Sequence, residues 1–343
     1  MKIFIEASKF GFGDKPWWPG SASGGSEWQC CTLARELVAL GHDVTVRNRC
    51  GVHEDFYEGV KYLDFTKHSL PTKKDKIDVY CSQRDPSVLK GTRIAPVQII
   101  LSHDIPSSSH YPTQDEIKQG ALDNTDIVMC LNEYHKNLML EWGTPPEKVK
   151  VCPIAIDVSD FTDDVDRVMG RCIYCSCPDR GLEVLLEKWV EIHKRCKWAT
   201  LQIAWNIPII RPFYPYAKEG IPDLGILPQK VLLHKDLGVE LCKAELQTYF
   251  SVSGIEISPA ACIKSMAAGA VPIVVPTGGM REVVCFGHQA DSNSFVNAVV
   301  NGLTDLQWQH DNRIKMIPAT REKYYAPKVT KQWLDIVEKF RSG

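Results

Sequence analysis

The sequence predicts an α/β protein of two Rossmann-like parallel-sheet domains facing a cleft, followed by a C-terminal helix. Three observations carry this reading. The chain has 343 residues, beyond the roughly 250–300 at which a single core stops growing. Apolar runs of strand type alternate with amphipathic helical patterns, as parallel sheets with crossover helices require. The alternation occurs twice, restarting after a polar stretch.

In order, KIFIEA precedes the amphipathic EWQCCTLARELVALG and then HDVTVRNR. IDVYCS, APVQIILSH and TDIVMCLN follow as strands, then helical EYHKNLMLEWG and the strand KVKVCPIAID. After VSDFTDDVDRVMG the pattern restarts with RCIYCS, helical GLEVLLEKWVEIHKRC and ATLQIAW. It continues through the strand-like QKVLLHK and LQTYFSV, helical SPAACIKSMAAG and VPIVVP. Residues 206–230, rich in Pro, Gly and aromatics, read as a long irregular connection. Val329, Trp333 and Val337 stand at helical spacing near the end. The expected units are residues 1–165, residues 166–325, and a C-terminal helix over 326–343 that packs back toward the first.

A formal net charge of -2 excludes binding nucleic acid through a global basic field. The opening MKIFIEASKF lacks the apolar stretch and cleavage site of a secretory leader, and no run approaches a membrane span. A cytoplasmic location with at most peripheral membrane contact is expected. The thirteen scattered cysteines suit reduced, buried thiols. The tight cluster Cys172, Cys175 and Cys177 lies on a strand whose alternation points the first away from the other two, so a metal site is not expected.

Two segments carry chemistry. In PGSASGGSEWQCCTLARELV, a glycine-rich turn runs into a helix, offering free N–H groups and the positive helix end to an anion. Gly24 and Gly25 permit close backbone approach there, with Glu27 just inside the helix. In SGIEISPAACIKSMAAGAVPIVVPTGGMREVV, Ser258 reads as an N-cap and Pro259 as the first helical residue, leaving the amides of Ala260 and Ala261 for an anion. Glu256 precedes that start. The Gly278–Gly279 turn and Glu282 repeat the pairing of glycine loop and helix.

These segments, in this order, resemble family 4 glycosyltransferases of the two-domain GT-B fold, over nearly the whole chain. GGSEWQCCTLARELVALGHDVTV is similar to the family's glycine loop and first helix. In DIVMCLNEYHKNLMLEWGTPPEKVKVCPIAIDVSDF, Pro153, Ile156, Asp157 and Phe161 match its linker motif. CPDRGLEVLLEKWVEI resembles the opening of its second domain, and IKSMAAGAVPIVVPTGGMREVV its donor-binding helix and turn.

The resemblance implies a retaining, metal-independent transferase that takes a nucleotide-sugar donor and a carbohydrate or lipid-linked acceptor, with no cofactor. The Gly24–Gly25 amides would face the donor diphosphate, His103 the reacting sugar, and Arg180 the leaving group. Glu256, first of two glutamates in the family motif, would hold sugar hydroxyls; Glu282 lies in the turn that closes over the nucleotide. The second glutamate is Lys264 here, and an ammonium only donates, so the ribose contact must differ. Cys175 stands where a second basic residue is common. A loop at Trp17–Trp18 could stack on an acceptor sugar or pack beneath itself. A catalytically silent binding subunit and a nucleotide-sugar epimerase are the alternatives on the same fold.

Overall fold

The computed structural model describes residues 1–8, 17–19, 21, 24–89, 91, 93–104, 120–205, 220–252 and 256–342. Most of the irregular connection, residues 206–219, lies outside them. The chain divides into two compact units, Met1–Asp157 with Tyr324–Gly343, and Val158–Lys323.

In the first unit an eight-stranded sheet has the order β3-β4-β2-β1-β5-β6-β7-β8. Its strands are β1 (Lys2–Glu6), β2 (Asp43–Asn48), β3 (Phe56–Tyr57), β4 (Val60–Asp64), β5 (Val79–Gln83), β6 (Val97–Leu101), β7 (Ile127–Cys130) and β8 (Val149–Val151). All pairs are parallel except β3 with β4. Sheets covered on both faces read as continuous apolar runs rather than alternating ones. Ile3, Ile5 and Ile99 thus enter one core and Phe4, Tyr80 and Ile100 the other. The first core is closed by Leu33 and Leu37 of α1 (Gly25–Ala39), the second by Met139 of α2 (Glu133–Glu141).

The second unit carries a parallel sheet in the order β10-β9-β11-β12-β13: β9 (Arg171–Tyr174), β10 (Thr200–Ile203), β11 (Leu246–Phe250), β12 (Val271–Val275) and β13 (His288–Gln289). Helix α3 (Leu182–Arg195) buries Leu182, Leu185, Trp189 and Ile192, one stripe at helical spacing. The unit continues through α4 (His234–Lys243), α5 (Ala260–Ala268), α6 (Met280–Val283), α7 (Phe295–Thr304) and α8 (Leu306–Tyr324).

The C-terminal helix, α9 (Ala326–Ser342), buries Val329, Trp333 and Val337 in the same core as Leu33 and Leu37. The periodic triad therefore marks the face that packs.

Three expectations change. The units part at Asp157–Val158 rather than at residue 165, because the polar stretch is fastened to the second unit. Arg167 there donates to the Ala244 and Ala268 carbonyls, both at 2.7 Å, and the Val168 amide donates to the Lys243 carbonyl. QKVLLHK is not a strand: Val231 and Leu233 are exposed, so nothing buries the run, and α4 begins at His234. Helix α5 begins at Ala260 with Pro259, not Ser258, in the N-cap position, and no side chain caps it.

Candidate functional site

A ligand meets an open parallel sheet at the carboxyl ends of its strands, where the chain order reverses direction. In the second unit that point lies between β9 and β11. The segment after β9 delivers Ser176 and Arg180; the segment after β11 delivers Glu256 and the start of α5.

The structure brings Arg180 and Glu256 together. Arg180 Nη1 donates to Glu256 Oε1 at 3.4 Å, and Tyr249 Oη donates to the same oxygen at 2.6 Å. Ser176 Oγ donates to Tyr249 Oη at 2.9 Å. The Gly279 amide donates to the Glu256 carbonyl at 2.6 Å, tying the Gly278–Gly279 turn to the same residue. Gly278 has φ +51°, the left-handed region that favours glycine. Glu282 is exposed on α6 just beyond that turn. At the head of α5 the first ring-closing bonds run from Cys262 and Ile263 to the Pro259 carbonyl. The Ala260 and Ala261 amides thus precede the helical ladder, as anion-binding amides do.

Lys264 is buried rather than solvated, at 3 % exposure, and its ammonium donates to His234 Nδ1 at 2.7 Å. That contact leaves the neutral imidazole with its proton on Nε2. Cys175 is buried nearby, and burial pushes its thiol up to about 11, with Lys264 pulling the other way. The position that a basic residue often fills therefore carries a neutral group.

In the first unit the reversal point lies between β1 and β5. Helix α1 starts there with Gly24 at its N-cap, in extended backbone, and the Trp28 amide closing on the Gly24 carbonyl. Arg84, just past β5 and in the left-handed region at φ +65°, organises the surroundings. It grips Asp104 with Nε and Nη2 (2.6 and 2.9 Å) and donates to Ser26 Oγ at 3.1 Å. Glu27 Oε1 stands 4.0 Å away. The sequence reading missed Arg84 and Asp104; their position at strand ends beside the glycine loop was the available signal.

His103 adjoins this cluster and borders a small cavity of about 30 Å³ with Gln83, Leu131 and Pro153. Burial first, then the Arg84 charge, pulls its imidazole down to about 3, against Asp104. It is neutral near pH 7, able to accept a hydrogen bond from a hydroxyl. His135, fully buried, accepts from the Leu131 amide through Nδ1 (3.2 Å), while Nε2 faces Ser102 Oγ at 2.9 Å. Burial pulls it down to about 4, against the Asp104 carbonyl. Trp17 is buried in the core and cannot offer a stacking face; Trp18 stacks on His53, centroids 3.5 Å apart.

These two depressed imidazoles predict an acid-labile fold. An unfolded histidine protonates near its ordinary value of about 6.5. As pH falls the unfolded chain takes up protons first, so stability present above about 6.5 is lost between there and about 4. The expected loss from His135 is about 2–3 kcal/mol between pH 7 and 4.5. Urea unfolding of wild type and His135→Gln at both pH values measures it; the variant should lose that much less.

Among the described residues, no three His, Cys, Asp or Glu side chains are grouped to hold a metal ion, and no helix is long and apolar enough to cross a membrane.

No family model matches the chain, and no curated protein sequence matches it. Solved structures do match. HepE of Anabaena, solved in complex with UDP, superposes with a TM-score of 0.73 over 99 % of this chain and 100 % of its own, at 14 % identity. Sucrose-phosphate synthase of Thermosynechococcus elongatus gives 0.74 over 99 % of each chain, again at 14 %. AviGT4, a glycosyltransferase involved in avilamycin A biosynthesis, gives 0.68 over 100 % of this chain and 98 % of its own at 14 %. At such identity the likeness speaks to fold. The chain has the two-domain architecture of GT-B glycosyltransferase structures, with a C-terminal helix.

Proposed function

We propose that the protein is a retaining glycosyltransferase, moving a sugar from a nucleoside-diphosphate sugar to an acceptor hydroxyl without a metal. The carrying observation is the hydrogen bond of Arg180 to Glu256 at the reversal point of the second unit's sheet, on the segment that leads into α5. Breaking the glycosidic C–O bond develops negative charge on the departing diphosphate and positive charge at the anomeric carbon. Arg180 and the Ala260 and Ala261 amides oppose the first, the kind of preorganised stabilisation that dominates such barriers. Glu256 accepts hydrogen bonds from sugar hydroxyls and orients the ring. Within the first unit, the Gly24–Gly25 amides at the head of α1 suit an anionic group, and neutral His103 can accept from a hydroxyl.

Support comes also from HepE, which has this architecture and was solved with UDP and with UDP-glucose. The acceptor is a glycan, glycolipid or small molecule, and the reaction belongs to the cytoplasm. Lys264, buried against His234, favours a second reading, a silent subunit that keeps the fold.

Turnover of UDP-, GDP-, ADP- and TDP-sugars tests the proposal. One donor should be hydrolysed or transferred, at a rate unchanged by EDTA, and the product's anomeric proton coupling should match the donor's configuration. If no donor turns over and none raises the melting temperature, transfer is ruled out. Binding without turnover would favour the silent subunit.

A further inference from the structure

Among the described residues, the Glu256 carboxylate is held through one of its two oxygens. Both of its hydrogen bonds, from Tyr249 Oη and Arg180 Nη1, end on Oε1. Among the described residues no hydrogen bond reaches Oε2. Glu256 is 8 % exposed, so its direction is set by these partners rather than by solvent.

Tyr249 lies at an apolar position of a buried strand, where phenylalanine would fill the same space. Its ring is 1 % exposed and packs edge-on against Tyr174, centroids 5.6 Å apart at 84°. A hydroxyl placed in such a core is costly unless bonded. Here it is bonded twice, accepting from Ser176 and donating to Glu256. Burial first, then the Glu256 charge, pushes the phenol far above its ordinary value, so it stays protonated and must donate. Since Ser176 donates into Tyr249, the phenol's own proton points to Oε1. The relay has one direction.

We propose that Tyr249, oriented by Ser176, is a positioning residue that fixes the Glu256 carboxylate so that Oε2 alone is offered to the hydroxyls of the donor sugar. The inference rests on the glycosyl-transfer reading and deepens it. The sugar is therefore recognised through one oxygen with two lone pairs, which accepts from one hydroxyl or from two neighbouring ones.

Calorimetry on the full chain separates this role from a structural one. Each of UDP-glucose, UDP-N-acetylglucosamine, GDP-mannose and ADP-glucose is titrated against its own nucleoside diphosphate. Wild type should bind one sugar nucleotide about tenfold more tightly than its diphosphate, the range of a hydrogen bond to a charged group. Tyr249→Phe keeps the ring and should erase that difference while leaving diphosphate affinity unchanged. Ser176→Ala, at a half-buried site, should reduce the difference about threefold in the same direction, and it carries the test if Tyr249→Phe fails to fold. Tyr249→Phe or, in its place, Ser176→Ala retaining the full difference overturns the inference alone, as does equal weakening of both ligands. A wild type that prefers no sugar nucleotide over its diphosphate overturns the inference and the transfer reading together.

Discussion

Glu256→Gln is expected to lower transfer by about 10²–10³-fold while leaving the fold intact. The substitution preserves shape and keeps an oxygen able to accept from Tyr249, whose hydroxyl lies 2.6 Å from the carboxylate. What it removes is charge. In the proposed transition state the anomeric carbon gains positive character and its ring hydroxyls become better donors. A carboxylate answers both changes, whereas an amide answers them weakly and presents an N–H₂ group that cannot accept. Interactions that strengthen only in the transition state lower kcat rather than raise KM. The loss should thus fall mainly on kcat, measured by initial rates with the donor found in the screen. The Arg180 contact, at 3.4 Å with the guanidinium partly exposed, contributes little to stability, so the melting temperature should move by only a few degrees. A variant within threefold of wild type removes Glu256 from the site.

How much of this was legible beforehand depends on what each residue's neighbours reveal. The strands β1, β5, β6 and β12 were plain because burial on both faces leaves uninterrupted apolar runs. QKVLLHK misled by the same signal: apolar letters describe a strand only where something covers them, and Val231 and Leu233 are exposed. Arg180 and Glu256 could be named from the motif order; their hydrogen bond could not, because 76 residues of chain separate them. Tyr249 was hidden for a different reason. An aromatic in an apolar run reads as core, and nothing local shows that its hydroxyl meets a carboxylate seven residues on. Lys264 was visible as a departure, but its contact with His234 depends on α4 starting inside the run QKVLLHK, which reads as a strand. Ser258 shows the limit of capping rules: a serine before Pro-Ala-Ala suits an N-cap, yet the helix begins past the proline.

Gly181→Ala should be the most damaging single substitution near the site, because it strikes fold and function through one atom. Gly181 follows Arg180 directly and has φ +122°, a region L residues rarely adopt. A Cβ built there would lie 1.9 Å from the Phe250 carbonyl oxygen, backbone of β11 that cannot swing aside. Strain at such a position costs of order 1–3 kcal/mol before the clash is counted. Relief requires the turn after β9 and the end of β11 to separate. That movement breaks the bond from the Val252 amide to the Arg180 carbonyl at 3.3 Å. It also carries Arg180 away from Glu256. The expected result is a loss of about 3 kcal/mol or more in urea unfolding. In whatever folded protein remains, transfer should fall at least as far as in Arg180→Ala. Leu182→Ala, one residue on, makes the comparison informative: it truncates a fully buried side chain and should cost a similar 2–5 kcal/mol, roughly. It leaves the Arg180 backbone in place, however. Equal destabilisation with unequal loss of transfer would locate the damage at the arginine; matched losses would mean that Gly181 serves the fold alone.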